Sequence, residues 1–541
     1  MNNVEKRVPV RTSEVLISVM AVLSVVSVLI KIQLGFDIDE QYAFSMMYRF
    51  SEGQRYLTDL FDPHQFSAFL MTPLFLLCRT LSIQYTVLLF RLFSALIYAV
   101  GSIPIYRFVR KETGDQKIAM LSALFFFTLT PKSIISLEHS NLSNLFLIYV
   151  LIDLYRYLKY HELHVIPFAT ESVLLGVCYP TLVFLVVPVV ILMVWKKDGR
   201  LILQYLGLCL IGALIFLIPA LIYQKGFAGV LSGVSMVLLE GSHQFSLKER
   251  MLRLLSDSYF FAKYLCAYLL VSGAMLLWRK LVHRSVLCSV PDVMIFCMSP
   301  FITGIIQVLL TTAAPCAGYT RYLLLLLVLL ILSVKRNETE MKRISLFLLL
   351  VVALMYLTSN NGLFGPAGFC AFAGIGLILL FRDQTKGSRL LLCAAIVCQC
   401  SYYLLSYHVT GGGPESVFHF DLVSGTVVKG IYTEPADDQF FRECAQIETV
   451  SESGKVMLGG SDSYAYLAMN ADVFAPTTIS TPNYSSQWRE YLDLKQAENF
   501  DLILETSYEK SSDLLKVVSE DYTVSLAETG ETYTHYLAVR K

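Results

Sequence analysis

The chain has 541 residues, 55% of them hydrophobic and only 16% charged, with a mean hydropathy of +0.57; that balance excludes an ordinary water-soluble globular protein and makes lipid the main solvent. The net charge of zero conceals two unlike parts, since residues 410–541 carry nine Lys and Arg against twenty-one Asp and Glu and the rest is correspondingly basic. No basic stripe interleaved with aromatics points to nucleic acid, and the twelve Cys fall mostly in apolar runs without CxxC pairs, so neither a disulfide framework nor a structural zinc is indicated.

In chain order, Lys6, Arg7 and Arg11 precede an apolar run at 15–34. It is too long for a signal-peptide core and lacks a small-residue cleavage site, so it is expected to persist as a first transmembrane helix. Twelve more apolar runs follow, at 87–109, 118–129, 141–158, 165–178, 181–195, 201–223, 259–278, 293–311, 322–334, 344–357, 367–381 and 390–407. Backbone in lipid finds hydrogen-bond partners only within its own segment, so each run is expected to be a helix, about thirteen in all. Several fall short of the ~20 residues that span the hydrocarbon. The pair meeting at Tyr179-Pro180 reads either as two short spans or as one re-entrant hairpin.

Basic residues gather in alternate loops: Lys6/Arg7/Arg11, Arg107/Arg110/Lys111/Lys117, Lys196/Lys197/Arg200, Arg279/Lys280/Arg284, Lys335/Arg336/Lys342/Arg343 and Arg382/Lys386/Arg389. The positive-inside rule makes these six cytoplasmic, provided that 35–85 stays outside with its apolar stretch 66–81 lying along the interface. The N-terminus is then cytoplasmic and, after an odd number of crossings, the C-terminus is outside. At Gly411-Gly412-Gly413-Pro414 the composition changes, marking a linker between a membrane domain, 1–409, and a soluble extracytoplasmic domain, 410–541. In the latter, strand-like runs at 455–458, 473–475, 500–504 and 533–539 alternate with helix-like runs at 437–450, 463–469, 486–497 and 511–518. That is the pattern of a small α/β domain with a partly parallel sheet.

Chemistry concentrates after the first span, where Asp37, Asp39 and Glu40 lie within four residues. If Asp39 caps a helix, Ala43, Phe44, Met47 and Phe50 share one face, and the helix lies flat on the membrane with its carboxylates where bilayer meets water. The bland alternative is a solvated loop with a helix cap. Asp59, Asp62 and His64 continue the same loop, an unusual density of bases and metal ligands beside lipid. Arg91, Lys132, Glu138, His139 and Arg321-Tyr322 approach the same outer face. Each Arg by itself could simply snorkel, but with a carboxylate cluster opposite, Arg91 and Arg321 form a candidate phosphate site, because a guanidinium grips phosphate with two parallel hydrogen bonds. Glu138, His139 and His64 are the candidate ligands for a divalent metal, although adjacent residues on a helix point in different directions.

These residues resemble the integral-membrane C-type (GT-C) glycosyltransferases, especially the protein O-mannosyltransferase and bacterial aminoarabinose–lipid A transferase branch. The resemblance is carried by Asp39-Glu40-Gln41-Tyr42-Ala43 after the first span, Arg91-Leu92 entering the second, the Tyr179-Pro180 break, and Arg321-Tyr322 before a Leu-rich run. It implies transfer of a sugar from a polyprenyl-phosphate or polyprenyl-diphosphate carrier to an extracytoplasmic acceptor. Asp39 then matches the general base, Glu40 and Asp37 orient it or help hold a divalent ion, and Arg321, Tyr322 and Arg91 receive the carrier phosphate. No nucleotide-binding glycine loop is evident, consistent with a donor that is not a nucleotide sugar. Two departures stand out: Glu138-His139-Ser140-Asn141 occupies the start of the fourth span where many relatives carry Asp, and Tyr179 replaces Lys before the mid-chain Pro.

The segment Gly459-Gly460-Ser461-Asp462-Ser463-Tyr464 follows a strand and reads either as a capped strand-to-helix turn or as a loop meeting the acceptor. Rival readings of the whole are a glycan polymerase or ligase of the cell envelope, a multi-pass transporter or flippase, and an inactive scaffold. Against transport, the polar residues concentrate at the outer helix ends rather than near mid-membrane, and no internal repeat is evident.

Overall fold

The computed structural model describes residues 10–130, 135–239, 246–282, 286–310, 321–335, 337–358, 362–405, 421–423, 427–479, 485–495, 499–506 and 511–541. Lys6, Arg7, Lys132, Arg284, Arg336 and the 411–414 linker lie outside the described residues. α1 (Val10–Ile32) leads into α2 (Ile38–Ser51) and α3 (Gln65–Leu81), which fill the first loop. α4 (Thr86–Thr113) and α5 (Gln116–Phe127) form a tight antiparallel pair. Gly114, at φ 69°, ends α4 in the left-handed conformation that Gly adopts without strain, and Asp115 caps α5 by accepting from the Lys117 and Ile118 N–H groups.

α6 (His139–Tyr160), α7 (Val165–Cys178), a 3-10 segment at Pro180–Leu185 and α8 (Val186–Trp195) follow. The Tyr179 ring packs 5.7 Å from His139, the first residue of α6, while Lys196 donates to the carbonyls of Tyr157 and Leu158 in its last turn. Both arms of the hairpin therefore traverse the length of α6, which makes them two passes rather than a shallow re-entrant loop. Then come α9 (Gly199–Tyr223), α10 (Phe227–Leu238), α11 (Leu247–Leu281), α12 (Asp292–Leu310), α13 (Arg321–Ser333) and α14 (Thr339–Thr358). A 3-10 segment at Gly362–Cys370 precedes α15 (Ala371–Leu380), and α16 (Thr385–Leu405) closes the bundle.

Among the described residues, seven helices (α1, α4, α9, α11, α12, α14 and α16) are long and apolar enough to cross a membrane. The other expected spans are shorter apolar helices or, in α6, a helix diluted by Asp153, Arg156 and Lys159. α15 is buried along its length against α13, where a Cβ on Gly376 would stand 3.0 Å from Leu330, so the small residue sets how closely these helices approach. α9 is the reverse case: Leu203 is 76% and Ile222 68% exposed. Apolar surface on that scale is stable only against lipid, and the chain is a multi-pass membrane protein.

The basic loops share one end of the bundle. Lys111 pairs with Glu162, Arg389 with Asp115 and Arg279 with Asp292, and Arg343 lies over Trp195. The opposite end carries the C-terminal domain. Its strands are β1 (Asp421–Leu422) and β2 (Tyr432–Thr433), which pair with each other, then β3 (Lys455–Gly459), β4 (Asp472–Val473), β5 (Asn499–Glu505), β6 (Tyr522–Thr529) and β7 (Tyr533–Arg540). These last five form one sheet in the order β4-β3-β5-β7-β6, parallel across β4, β3 and β5 and antiparallel beyond. Helices α17 (Pro435–Cys444), α18 (Tyr464–Met469), α19 (Ser485–Lys495) and α20 (Ser511–Asp521) connect and cover it.

The domain is stitched to the membrane part through the first loop. Backbone bonds join Tyr432 to Gln33 and Gly35, each at 2.8 Å, and Phe61 to Pro476 at 2.8 Å. Lys495 pairs with Asp59, and Gln487 donates to the carbonyls of Phe61 and Met236. The polar face of α2 is consequently covered rather than open to water: every residue from Glu40 to Arg49 is buried. The face expected to meet solvent meets the C-terminal domain.

Candidate active site

The first turn of α2 is held from three sides. Asp37, not Asp39, is the N-cap, and its Oδ1 accepts from the Asp39 N–H at 2.8 Å and from the Glu40 N–H at 3.4 Å. Glu40 points into the membrane part and meets Arg91 of α4 in a forked ion pair, Nε to Oε1 at 2.7 Å and Nη2 to Oε2 at 2.5 Å, with both side chains inaccessible. Arg91 also donates to the carbonyls of Ile32 and Gly35 at 2.9 and 2.7 Å. Four of its five N–H donors are thereby engaged, and the adjacent pair needed to fork a phosphate is gone. The third constraint is Gln41, which binds the loop after β3. Its Nε2 donates to Asp462 Oδ1 at 3.0 Å and its Oε1 accepts the Tyr464 N–H at 3.2 Å.

Of the three carboxylates, Asp37 and Glu40 are buried and Asp39 is partly exposed. The Tyr464 ring, itself buried, packs edge-on against Phe36 and Phe44 at 5.3 and 5.7 Å. Burial first, and the neighbouring Glu40 carboxylate second, push its hydroxyl well above the usual phenol range, so it stays protonated beside the ion pair.

A second group forms where α6 begins. Glu138 caps that helix, accepting from the N–H groups of Ser140 and Asn141 at 2.7 and 2.8 Å, and lies 3.0 Å from His139 Nδ1. His139 stacks face to face on His64, ring centroids 3.7 Å apart and 16° from parallel, and Tyr179 leans on both. Sequence proximity gave no reason to join His64 to His139, yet the fold brings all three candidate metal ligands together. Imidazole lone pairs lie in the ring plane, so stacked rings direct them side by side rather than toward one point. Among the described residues no group of three or more His, Cys, Asp or Glu is placed to hold a metal ion. As arranged, Glu138, His139 and His64 do not fit a single ion.

Arg321 joins neither group. It opens α13, donates through Nη1 to the Tyr264 hydroxyl of α11 and lies over that ring at 5.0 Å. Tyr322 is buried against Phe301 and accepts from Gln399, which also meets Thr128 at the end of α5. Sequence gives no role to Arg49, and Gln41 and Tyr464 lie in the segments 39–43 and 459–464 without a role of their own. Arg49 is fully buried in α2, donating to Gln54 Oε1 and the Asp59 carbonyl, both at 2.6 Å, and so fixes the turn that follows. Its one sequence signal is a charge inside an otherwise apolar pattern. For Tyr464 the signal was the Gly-Gly-Ser-Asp-Ser segment leading to it.

No family model and no curated protein matches the sequence. Two crystal structures of ArnT from Cupriavidus metallidurans do align with it. The chain is similar to ArnT. The ArnT structure bound to undecaprenyl phosphate aligns at 10% identity and a TM-score of 0.36, covering 97% of this chain and 97% of that one. The apo ArnT structure aligns at 11% identity and a TM-score of 0.36, covering 96% and 97%. The likeness to ArnT is one of extent rather than of close superposition.

Proposed function

We propose that this protein is a glycosyltransferase that moves a sugar, hexose or pentose, from a polyprenyl-phosphate or polyprenyl-diphosphate carrier to an acceptor glycan, lipid or protein outside the cytoplasm, with Asp39 as general base. The supporting observation is the division of labour among three neighbouring carboxylates. Asp37 caps the helix, Glu40 anchors it to Arg91, and Asp39 stands between them on the same rigid turn, partly exposed. A base on a fixed element at the edge of a bundle is what an acceptor hydroxyl requires when its co-substrate is dissolved in the bilayer.

In the reaction the acceptor oxygen bonds to the anomeric carbon while the bond from that carbon to the phosphate oxygen breaks. The electron pair leaves with the carrier phosphate, and the acceptor proton passes to Asp39. Arg321, with Tyr322 beside it at the head of α13, supplies positive charge to the departing phosphate. Arg91 acts through Glu40 as a positioning residue. The end bearing the C-terminal domain faces outward in this reading, because the basic loops cluster at the other. The test is sugar transfer from synthetic polyprenyl-phosphate donors by wild type and Asp39→Asn in proteoliposomes; full activity in the variant overturns the assignment.

Transport has one observation in its favour: Glu171 of α7 lies close to Asp153 of α6 within the apolar bundle, and ionisable groups inside spans mark ion pathways. Proton or solute flux that Glu171→Gln abolishes and Asp39→Asn leaves intact would support transport over transfer.

A further inference from the structure

The strand order of the C-terminal sheet reverses at β3, with β4 on one side and β5 on the other, all three parallel. In open α/β sheets the crevice outside the carboxyl ends of the strands at such a reversal is where a ligand binds. Here one wall is the loop after β3, residues 460–463, and the other is the end of β5 at Glu505. The walls are drawn together: the Ser461 N–H donates to Glu505 Oε2 at 3.2 Å, and a Cβ on Gly460 would fall 2.3 Å from that oxygen. What enters from above is not a small molecule but α2. Gln41 places a donor on Asp462 and an acceptor on the Tyr464 N–H, and one turn later Ser45 donates to the Ser463 carbonyl at 2.8 Å.

We propose that the crevice at the β3/β5 reversal is a grip for Gln41, which makes the C-terminal domain the element that sets the rotation of α2 and so aims Asp39 at the acceptor. The proposal rests on the reading of Asp39 as the base. Asp39 and Gln41 share the first helical turn, and Glu40 between them is anchored on a separate side, to the membrane part, by Arg91. With both anchors in place α2 cannot roll about its axis. With one removed, a roll of about 30° would carry a side chain at a radius of roughly 5 Å through about 3 Å, and a misplacement of even ~1 Å at a reacting group lowers the rate about 100-fold. Gln41, Asp462 and Tyr464 are accordingly positioning residues, and the domain is part of the catalytic unit.

The experiment uses the full-length protein in lipid nanodiscs with a polyprenyl-phosphate sugar. Gln41→Leu and Asp462→Ala are expected to lower kcat by about 10- to 100-fold while the KM for the lipid donor stays within about twofold, and the double variant is expected to be no worse than either single one. Asp462→Asn keeps the accepting oxygen and is expected to retain near-wild-type kcat, as is Arg489→Ala, which removes only the exposed pair with Glu520. Wild-type kcat in Gln41→Leu, alongside an inactive Asp39→Asn, overturns the proposal. If Asp39→Asn is itself active, the base assignment is what fails. Hydrogen exchange across residues 38–45 reads the grip without activity: faster exchange in Gln41→Leu and Asp462→Ala but not in Arg489→Ala supports it, and unchanged exchange overturns it.

Discussion

Arg91 and Glu40 face each other as two planar forks with no access to solvent, and the guanidinium that seemed free for a phosphate instead bolts the first loop to the second long helix. Breaking a buried pair by removing one partner costs about 3–5 kcal/mol, because the survivor is left charged and uncompensated. Arg91→Ala and Glu40→Ala should each lower the melting temperature strongly, while Arg91→Met combined with Glu40→Leu should lose less than either. Thermal unfolding in detergent checks this. Additive losses in the double variant would contradict it.

Arg321 should behave differently. Its guanidinium lies over the Tyr264 ring and donates to that residue's hydroxyl at the surface of the bundle's α11 and α13 helices. Arg321→Ala is expected to leave the melting temperature nearly unchanged and to lower kcat/KM for the phosphorylated donor by about 10²–10³-fold, the range for losing a charge that stabilises a leaving group. Steady-state kinetics on a donor dilution series provides the measurement.

The domain interface should respond to pH through Asp462. Burial, and then the nearby carboxylates of Glu505 and Asp437, raise this group well above the ordinary carboxylate range. The folded state thus binds a proton that the unfolded chain releases near pH 3.9. The stability this contributes is complete below that pH and declines as pH rises through the elevated folded value. Melting curves across pH should show the decline in wild type and a flatter profile in Asp462→Asn; identical slopes would refute it.

The stacked His64 and His139 give an expectation for metals. Because the two rings do not converge on a point, sugar transfer should survive prolonged EDTA treatment, and His64→Ala should not change the response to added Mg²⁺, Mn²⁺ or Zn²⁺. Activity lost to the chelator, restored by one ion and abolished by His139→Ala would show that the rings separate to bind it.

Sidedness is directly testable. In a variant lacking Cys316 and, among the described residues, the exposed Cys266 and Cys288, a cysteine at Ser453 should react with an impermeant maleimide added to intact cells, and one at Lys386 only after the membrane is opened. The reverse labelling would invert the topology and remove Asp39 from the proposed side.

Hydropathy and loop charge were enough to read the bundle, because lipid imposes helices on apolar runs whatever their tertiary partners. The runs at 118–129, 165–178, 322–334 and 367–381, too short on their own to span, are the short helices α5, α7, α13 and α15 packed among longer ones. Alternating patterns also located β3, β5 and β7, while β6, an edge strand with Leu526 exposed, was missed. The site was legible only in part. Asp37, Asp39 and Glu40 announce themselves by density, but nothing local assigns the cap to the first or the ion pair to the third. Gln41, Ser45 and Tyr48 look like a wet face because their partners are Asp462, Ser463 and Ala471, and a local window cannot register a bond that spans four hundred residues. The stacking of His64 on His139, 75 residues apart, lay beyond such a window as well.

That separation has a bearing on how the protein is made. Gln41 leaves the ribosome 421 residues ahead of Asp462, an interval of roughly 20 to 80 seconds at ~5–20 residues per second. Through that time the earliest loop is threaded and waiting, its buried-to-be polar groups uncovered, and a chain terminated upstream of the last sheet would hold it in that condition for good. Quality-control factors would therefore meet prematurely ended forms as exposed, unfinished loops rather than as stable membrane cores with a missing appendage.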